Sequence, residues 1–213
     1  FSKLRSMSFL ISGSYAIDAL THSPINHGDM DSNVFAPNLP EARSATLALL
    51  DDIQLSTGNL QLYKQNPDRL EYDIETPAQS ANPRILEIHL IEAVPEFTYQ
   101  PNTYILADSK NRRVSRVSLV DINLKDSTGK DYLFKVKSLA YTIATWAIRI
   151  SGVAQNQLRP VKESDLYFFS LLLAQRFTLT EVCSAIELHP QRSENKGPEE
   201  VFRIAQDILK AKG

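Results

Sequence analysis

The chain has 213 residues, 43% of them hydrophobic, with 23 basic against 25 acidic side chains. That is enough apolar content for one large or two small globular domains with real cores. The net charge of -2 excludes a protein that coats nucleic acid through phosphate neutralisation, though not a local basic pocket, and the single Cys183 excludes an intrachain disulfide. No apolar run reaches the length of a membrane span. Low cysteine use fits a reducing compartment, and a cytoplasmic location is expected. The chain starts at Phe1 without an initiator Met, so its natural N-terminus, with any targeting segment, is expected to lie outside this sequence.

Residues 8–12 read as a short buried strand, and Tyr15 to Leu20 as the first turns of a helix with Ser14 as N-cap. Thr21 to Gly28 is a polar loop containing Pro24, and Asp29 to Ala36 is a second strand. Pro40 then sits just inside a helix start, with Ala42, Ala45, Leu47, Leu49 and Leu50 as its apolar content. After Gly58, strands are predicted at 60–63, 70–74, 85–91, 103–107, 114–124 and 132–136, separated by turn-rich breaks such as Asn66-Pro67-Asp68 and Asp126 to Lys130.

From Ser138 onward the pattern is helical. Leu139 to Ile150, Glu163 to Gln175, Leu179 to Leu188 and Pro198 to Lys212 each carry apolar residues at three-to-four spacing, and Gln191 to Gly197 is a polar linker. Ser164 and Thr180 lie near helix starts, and Pro198 suits a first turn. The expected fold class is α+β: a mixed sheet flanked by helices over residues 1–136, then a C-terminal helical bundle over residues 137–213.

Two features of the N-terminal unit carry chemistry. Gly13-Ser14 is a small turn whose backbone N–H groups and hydroxyl can close on phosphate oxygens. Asp29 and Asp31 sit at i and i+2 of a strand and so share one face, where they can hold divalent cations between a nucleotide and an acceptor. In the later strand Leu86, Ile88 and Leu90 form an apolar face, so Glu87 and His89 point the other way. If the two strands are neighbours, Glu87 joins the aspartates as third carboxylate, a cluster tolerable mainly with a divalent metal. Asp73 is its rival, with Glu71 behind it.

Blander readings stand beside these. Gly13-Ser14 alone is a tight strand-to-helix turn, and Glu87 alone a solvent-facing strand residue. Asp29-x-Asp31-x-Asn33 resembles an EF-hand opening, but Val34 and Pro40 stand where that loop needs Gly and Glu, which discards it. His27 suits a hydrogen bond to a loop carbonyl or carboxylate rather than a metal that prefers oxygen, and His89 suits a positioning role. His22 and His189 read as surface loop residues, and Cys183 as a buried small hydrophobe. Lys110, Arg112, Arg113 and Arg116 form the densest basic cluster, a solvated turn or a contact for a phosphate-rich substrate such as RNA. Trp146, Phe168 and Phe169 read as core.

The run Leu10-Ile11-Ser12-Gly13-Ser14-Tyr15-Ala16-Ile17-Asp18-Ala19-Leu20, followed by His27-x-Asp29-x-Asp31, resembles the start of a polymerase-β-type nucleotidyltransferase. The nearest groups are the aminoglycoside and lincosamide nucleotidyltransferases and the AbiEii-type toxins. Ile85-Leu86-Glu87-Ile88-His89 resembles the family's later carboxylate strand, and Arg159 to Leu166 resembles its K-D-x-x-D segment in the helical domain. The likeness spans roughly residues 8–35, 84–92 and 138–173.

The resemblance implies a nucleotidyltransferase-type sheet and transfer of a nucleoside monophosphate from an NTP to an acceptor hydroxyl or phosphate, with Mg²⁺ (or Mn²⁺) as cofactor and pyrophosphate released. Asp29, Asp31 and Glu87 would be the catalytic and metal-binding carboxylates, with Glu87 as third ligand or base. Gly13 and Ser14 would hold phosphate, with Lys162 and Asp165 assisting from the helical half. Lys162 pairs with a neighbouring carboxylate in the alternative reading, and Asp165 either orients Lys162 or serves the helix N-terminus.

The sequence departs from the family where Ser32 and Asn33 follow Asp31, where Glu87 replaces Asp, and where Thr145 and Trp146 occupy the place of a helix lysine. These departures motivate a second reading, a lapsed enzyme that works through a protein partner. A toxin of a toxin–antitoxin pair is the third. The acidic balance favours a small or cationic acceptor over long RNA, and no membrane partner is expected.

Overall fold

The computed structural model describes residues 8–23, 29–57, 60–66, 68–74, 84–96, 102–108, 113–125, 129–153, 160–192 and 195–212. Its elements are β1 (Ser8–Ile11), α1 (Gly13–Thr21), β2 (Met30–Ala36), α2 (Leu39–Thr57), β3 (Leu60–Asn66), β4 (Arg69–Ile74), β5 (Arg84–Pro95), β6 (Thr103–Asp108), β7 (Arg113–Lys125), β8 (Asp131–Lys137), α3 (Leu139–Ile150), α4 (Glu163–Leu173), α5 (Leu179–Glu187) and α6 (Pro198–Lys212). This is the α+β class expected from the alternation of strand and helix periods, with four helices gathered at the C-terminal end.

The sheet is mixed. Neighbouring strands follow the order β2-β1-β8-β7-β6-β5-β4-β3, and β2 also pairs with β5. That extra pairing makes a closed circuit of six strands, with β4 and β3 extending beyond it. Strand β5 is long enough to serve both: its first part lies between β2 and β4, and Ala93 to Pro95 pair with β6. The β2–β5 and β1–β8 pairs are parallel, and the others antiparallel.

Period-two alternation sorts the two faces. On one face of β2 and β5, Val34, Ala36, Ile88 and Leu90 pack under Ala42 and Leu50 of α2. Asn38 starts that helix, its Oδ1 accepting the Glu41 N–H at 2.8 Å while its Nδ2 donates to Glu41 Oε2 at 3.0 Å. On the opposite face Phe35 packs with Leu10, Ala93, Tyr104, Val117 and Leu119, all from strands of the circuit. Asp31 and Asn33 share Phe35's parity, and Glu87 and His89 share that of Ala93. The polar residues of interest therefore continue the inner apolar face.

The bundle core is Ile143, Ala144, Ala147 and Ile148 of α3 with Leu166, Phe169, Leu172, Val182, Ile186, Val201, Phe202 and Ala205 of the later helices. Each fully buried large side chain contributes about 1.5–3 kcal/mol. Ile17 of α1 belongs to the same cluster, and Tyr141 of α3 to the inner sheet cluster, so these two residues join bundle and sheet. Phe169 is fully buried, with Trp146 and Phe168 packed at the margin, as their spacing predicts.

Several expectations need correcting. The N-cap of α1 is Ser12, and Ser14 lies inside the helix. Ser164 and Thr180 do lie in the first turns of α4 and α5, whose caps are Lys162 and Thr178; Thr178 Oγ1 accepts the Glu181 N–H at 3.2 Å. Within the predicted polar linker Arg192 is buried, its guanidinium bonded to the Glu187 carboxylate and at 2.8 Å to the Lys196 carbonyl. Among the described residues no helix is long and apolar enough to cross a membrane.

Candidate active site

The turn between β1 and α1 brings backbone against carboxylate. Ser12 is extended, and its N–H donates to the Asp31 carbonyl at 2.9 Å, carrying the β1–β2 pairing one residue past the strand. The chain must then turn sharply into α1, and Gly13 does so with φ of +60°. A Cβ built at Gly13 would fall 2.1 Å from Asp31 Oδ2, so glycine is required there by contact as well as by conformation. Ser14 follows in the first turn of the helix.

The parallel β2–β5 register pairs Asp31 with Glu87 and Asn33 with His89. Residues paired in this way lie about 4.8 Å apart along the sheet and present their side chains to one face. The condition set by the sequence, that the two strands be neighbours, is met. Asp73, the rival, pairs with Ile85 instead, while Glu71 takes the backbone position opposite Glu87. Glu87 Oε1 lies against His89 Nε2, two residues along the same face. Asp29 immediately precedes β2 and is exposed.

Among the described residues no group of three His, Cys, Asp or Glu side chains converges as a metal centre. Two hard carboxylates side by side still suit Mg²⁺, which is commonly held by one or two carboxylates, with water and substrate phosphate supplying the rest. The donor chemistry therefore fits the ion. His27 and Gly28, and with them Lys110 and Arg112 of the basic cluster, lie outside the described residues.

Behind the carboxylates the strand is polar yet buried. Ser32 is fully buried, and its Oγ has no hydrogen-bond partner among the described residues. Asn33 is also buried, its Nδ2 donating to the Ser32 carbonyl at 2.9 Å.

The helical half places its expected residues differently. Asp165 is 1% exposed, accepts the backbone N–H of Lys162 at 2.8 Å, and stands 3.5 Å from Arg149 Nε. It serves the helix N-terminus and a buried charge pair, and its bond to Lys162 goes to the backbone and not to the ammonium. Lys162 itself is exposed and lines a groove of about 600 Å³ between α4 and α6, together with Tyr167 and Lys212. A second groove, of about 520 Å³, lies between α5 and α6 and is lined by Cys183 and Leu188. Neither groove has a lining residue from the sheet. Cys183 is half-buried rather than buried, and desolvation and the Glu199 charge raise its thiol pKa.

One cluster was not anticipated. Lys137 ends β8, and its Nζ lies 5.7 Å from the centroid of the Tyr141 ring. Burial pushes this ammonium down to about 8. The Tyr141 ring lies 5.0 Å from that of His189, and burial raises the tyrosine pKa. His189, expected on the surface, is 3% exposed. Its Nδ1 accepts the Gln191 N–H at 3.2 Å, and its Nε2 is 3.1 Å from Thr145 Oγ1, whose own hydrogen goes to the Tyr141 carbonyl. That pattern fits the neutral ring protonated at Nε2. Burial, then the nearby Lys137 charge, holds its pKa down to about 3. Strand alternation gave a signal for Lys137, since Lys135 and Lys137 share a face, but which face was unreadable without the register.

No protein-family model matches this chain, and no curated protein is significantly similar to it. Among solved structures it is similar to Leishmania infantum polymerase beta in a ternary P/T complex, at 16% identity and a TM-score of 0.30 over 94% of this chain and 64% of that one. The ternary gap complex of the same polymerase gives 16% identity and a TM-score of 0.29, over 94% and 60%. The chain thus spans under two thirds of those polymerase chains, and superposition at this level carries nothing about chemistry.

Proposed function

We propose that this chain is a Mg²⁺-dependent nucleotidyltransferase that moves a nucleoside monophosphate from an NTP to an acceptor hydroxyl and releases pyrophosphate. The observation that carries the reading is the pairing of Asp31 with Glu87 on neighbouring parallel strands, beneath the left-handed turn at Gly13. It agrees with the motif order of the resembling family. Asp29 and Asp31 would hold the metal, with Glu87 as third ligand or as base toward the acceptor. When bound, Mg²⁺ would neutralise phosphate charge and orient the reacting groups. The Gly13-Ser14 turn would receive phosphate oxygens through backbone N–H groups at the start of α1. His89 would hold the Glu87 carboxylate in place. The two-domain division at residues 136 and 137, the choice of a small acceptor over RNA and a cytoplasmic location belong to the same proposal.

A thermal-shift titration with ATP, GTP, CTP and UTP, each with and without Mg²⁺, tests it. Saturation at a hundred times Kd adds about 2.7 kcal/mol. Stabilisation that needs metal and nucleotide together, and is lost in Asp29→Asn/Asp31→Asn, supports the enzyme. No response to any nucleotide favours the second reading, a lapsed relative acting through a protein partner. The placement of Lys162 and Asp165 among the helices is the observation on that side.

A further inference from the structure

Lys137 belongs to a row that crosses the sheet. Leu10 of β1 pairs in parallel with Lys135 of β8, so two residues on Ser12 stands beside Lys137. Ser12 bonds Asp31, and Asp31 pairs with Glu87. Reading across β8, β1, β2 and β5, the row is Lys137, Ser12, Asp31, Glu87, with its side chains on the inner face. Lys137 is two strand spacings, about 10 Å, from Asp31, with the Gly13 turn between them.

The groups around Lys137 do not neutralise it. From α3 it meets the Tyr141 ring, and beyond the ring lies His189, neutral and with both ring nitrogens engaged. From β7 its register partner is Leu119. The neighbouring cation on the same face, Lys135, is matched by Asp121 Oδ1 at 2.7 Å and Asn102 Oδ1 at 3.0 Å. Lys137 has no carboxylate partner among the described residues. An ammonium desolvated in this way is costly unless a counter-charge arrives.

We propose that Lys137 is the cationic end of an anion-binding floor and contacts a phosphate chain whose other end lies toward Asp31 and Glu87. That the chain is the triphosphate of a nucleotide rests on the function proposed above; the polyphosphate chemistry does not. Lys137 acts here as a binding and positioning residue, drawing the phosphates across the Gly13 turn.

The test is calorimetric titration with inorganic tripolyphosphate, without metal, on the wild type, Lys137→Met and Lys137→Arg. The wild type should bind, with affinity falling as pH rises through 8 and the lysine loses its charge. Lys137→Met should bind roughly tenfold or more weakly with that pH dependence gone, as expected for loss of a charged contact. Lys137→Arg should retain binding above pH 8. If Lys137→Met does not fold, the ¹³C-dimethylated lysine signals of the wild type, assigned with Lys137→Arg, give the same answer: the Lys137 titration should move upward on adding tripolyphosphate. Absence of tripolyphosphate binding, equal binding by wild type and Lys137→Met, or an unmoved Lys137 titration overturns the proposal. Failure of the nucleotidyltransferase reading looks different: tripolyphosphate binds through Lys137, yet no Mg²⁺-dependent NTP response is seen.

Discussion

The Asp31 carboxylate lies where a side chain on Gly13 would have to be: Oδ2 is 2.1 Å from an ideal Cβ at that glycine. Turn and carboxylate are thus one unit. Gly13→Ala should destabilise by about 2–3 kcal/mol, combining the cost of a left-handed alanine with displacement of Asp31. In an Asp31→Ala background the same change should cost only about 1–2 kcal/mol, because the left-handed strain stays while the carboxylate contact is gone. Urea unfolding of the four proteins measures this. Equal costs in the two backgrounds would mean that turn and carboxylate are independent.

Asp165 holds Arg149 and the start of α4 at once. Asp165→Ala should cost about 3 kcal/mol, since it removes a cap and the buried carboxylate that faces Arg149. Asp165→Asn should cost less, keeping an oxygen for the Lys162 N–H while losing the charge. Denaturant midpoints for the two variants should separate in that order.

His189 makes the acid side of the stability curve informative. Its folded value of about 3 lies below its ordinary 6.5, so between those limits the unfolded chain binds the proton and the folded chain does not. The stability it contributes is complete above pH 6.5 and is lost as pH falls toward 3, at up to about 1.4 kcal/mol per pH unit. His189→Gln should flatten the curve in that window relative to the wild type. Parallel curves for the two proteins would show that the ring is not held neutral.

Lys137 acts in the same direction as His189, in a window at higher pH. Its folded value of about 8 lies below 10.5, so stability should rise as pH increases through that interval. At pH 7 both states carry the charge, and the folded state bears its desolvation. Lys137→Met should therefore be more stable than the wild type by about 1 kcal/mol, a figure discounted for the lysine's partial contact with water. A gain in melting temperature with a loss of tripolyphosphate binding is the signature of a residue retained for binding rather than for folding.

Asp31→Asn should abolish Mg²⁺-dependent stabilisation by any NTP while leaving the unfolding midpoint without ligand within about 1 kcal/mol of the wild type. The thermal-shift comparison described above measures both quantities.

Local periodicity and turn chemistry made the elements legible. Alternation in 85–91 placed Glu87 and His89 opposite Leu86, Ile88 and Leu90, and the three-to-four spacing after Ser138 marked the four bundle helices. Capping was legible only in kind. Ser14 and Thr180 were visible near the starts of α1 and α5, but that Ser12 and Thr178 take the caps depends on where the backbone leaves the helical region, which packing sets.

By itself, then, the sequence determined the class of each element, the two faces of each strand and the residue types available for phosphate and metal chemistry, because these follow from side-chain spacing within a few residues. Only the tertiary structure decided which strands are neighbours. The β2–β5 and β1–β8 pairings are parallel contacts between distant segments, and no local signal specifies their register. That register put Glu87 beside Asp31, set Lys137 in the same row, and buried His189 under Tyr141 where the sequence suggested a surface loop. Charge and solvation at a site depend on what long-range packing brings near it, and a short stretch of sequence does not contain its neighbours.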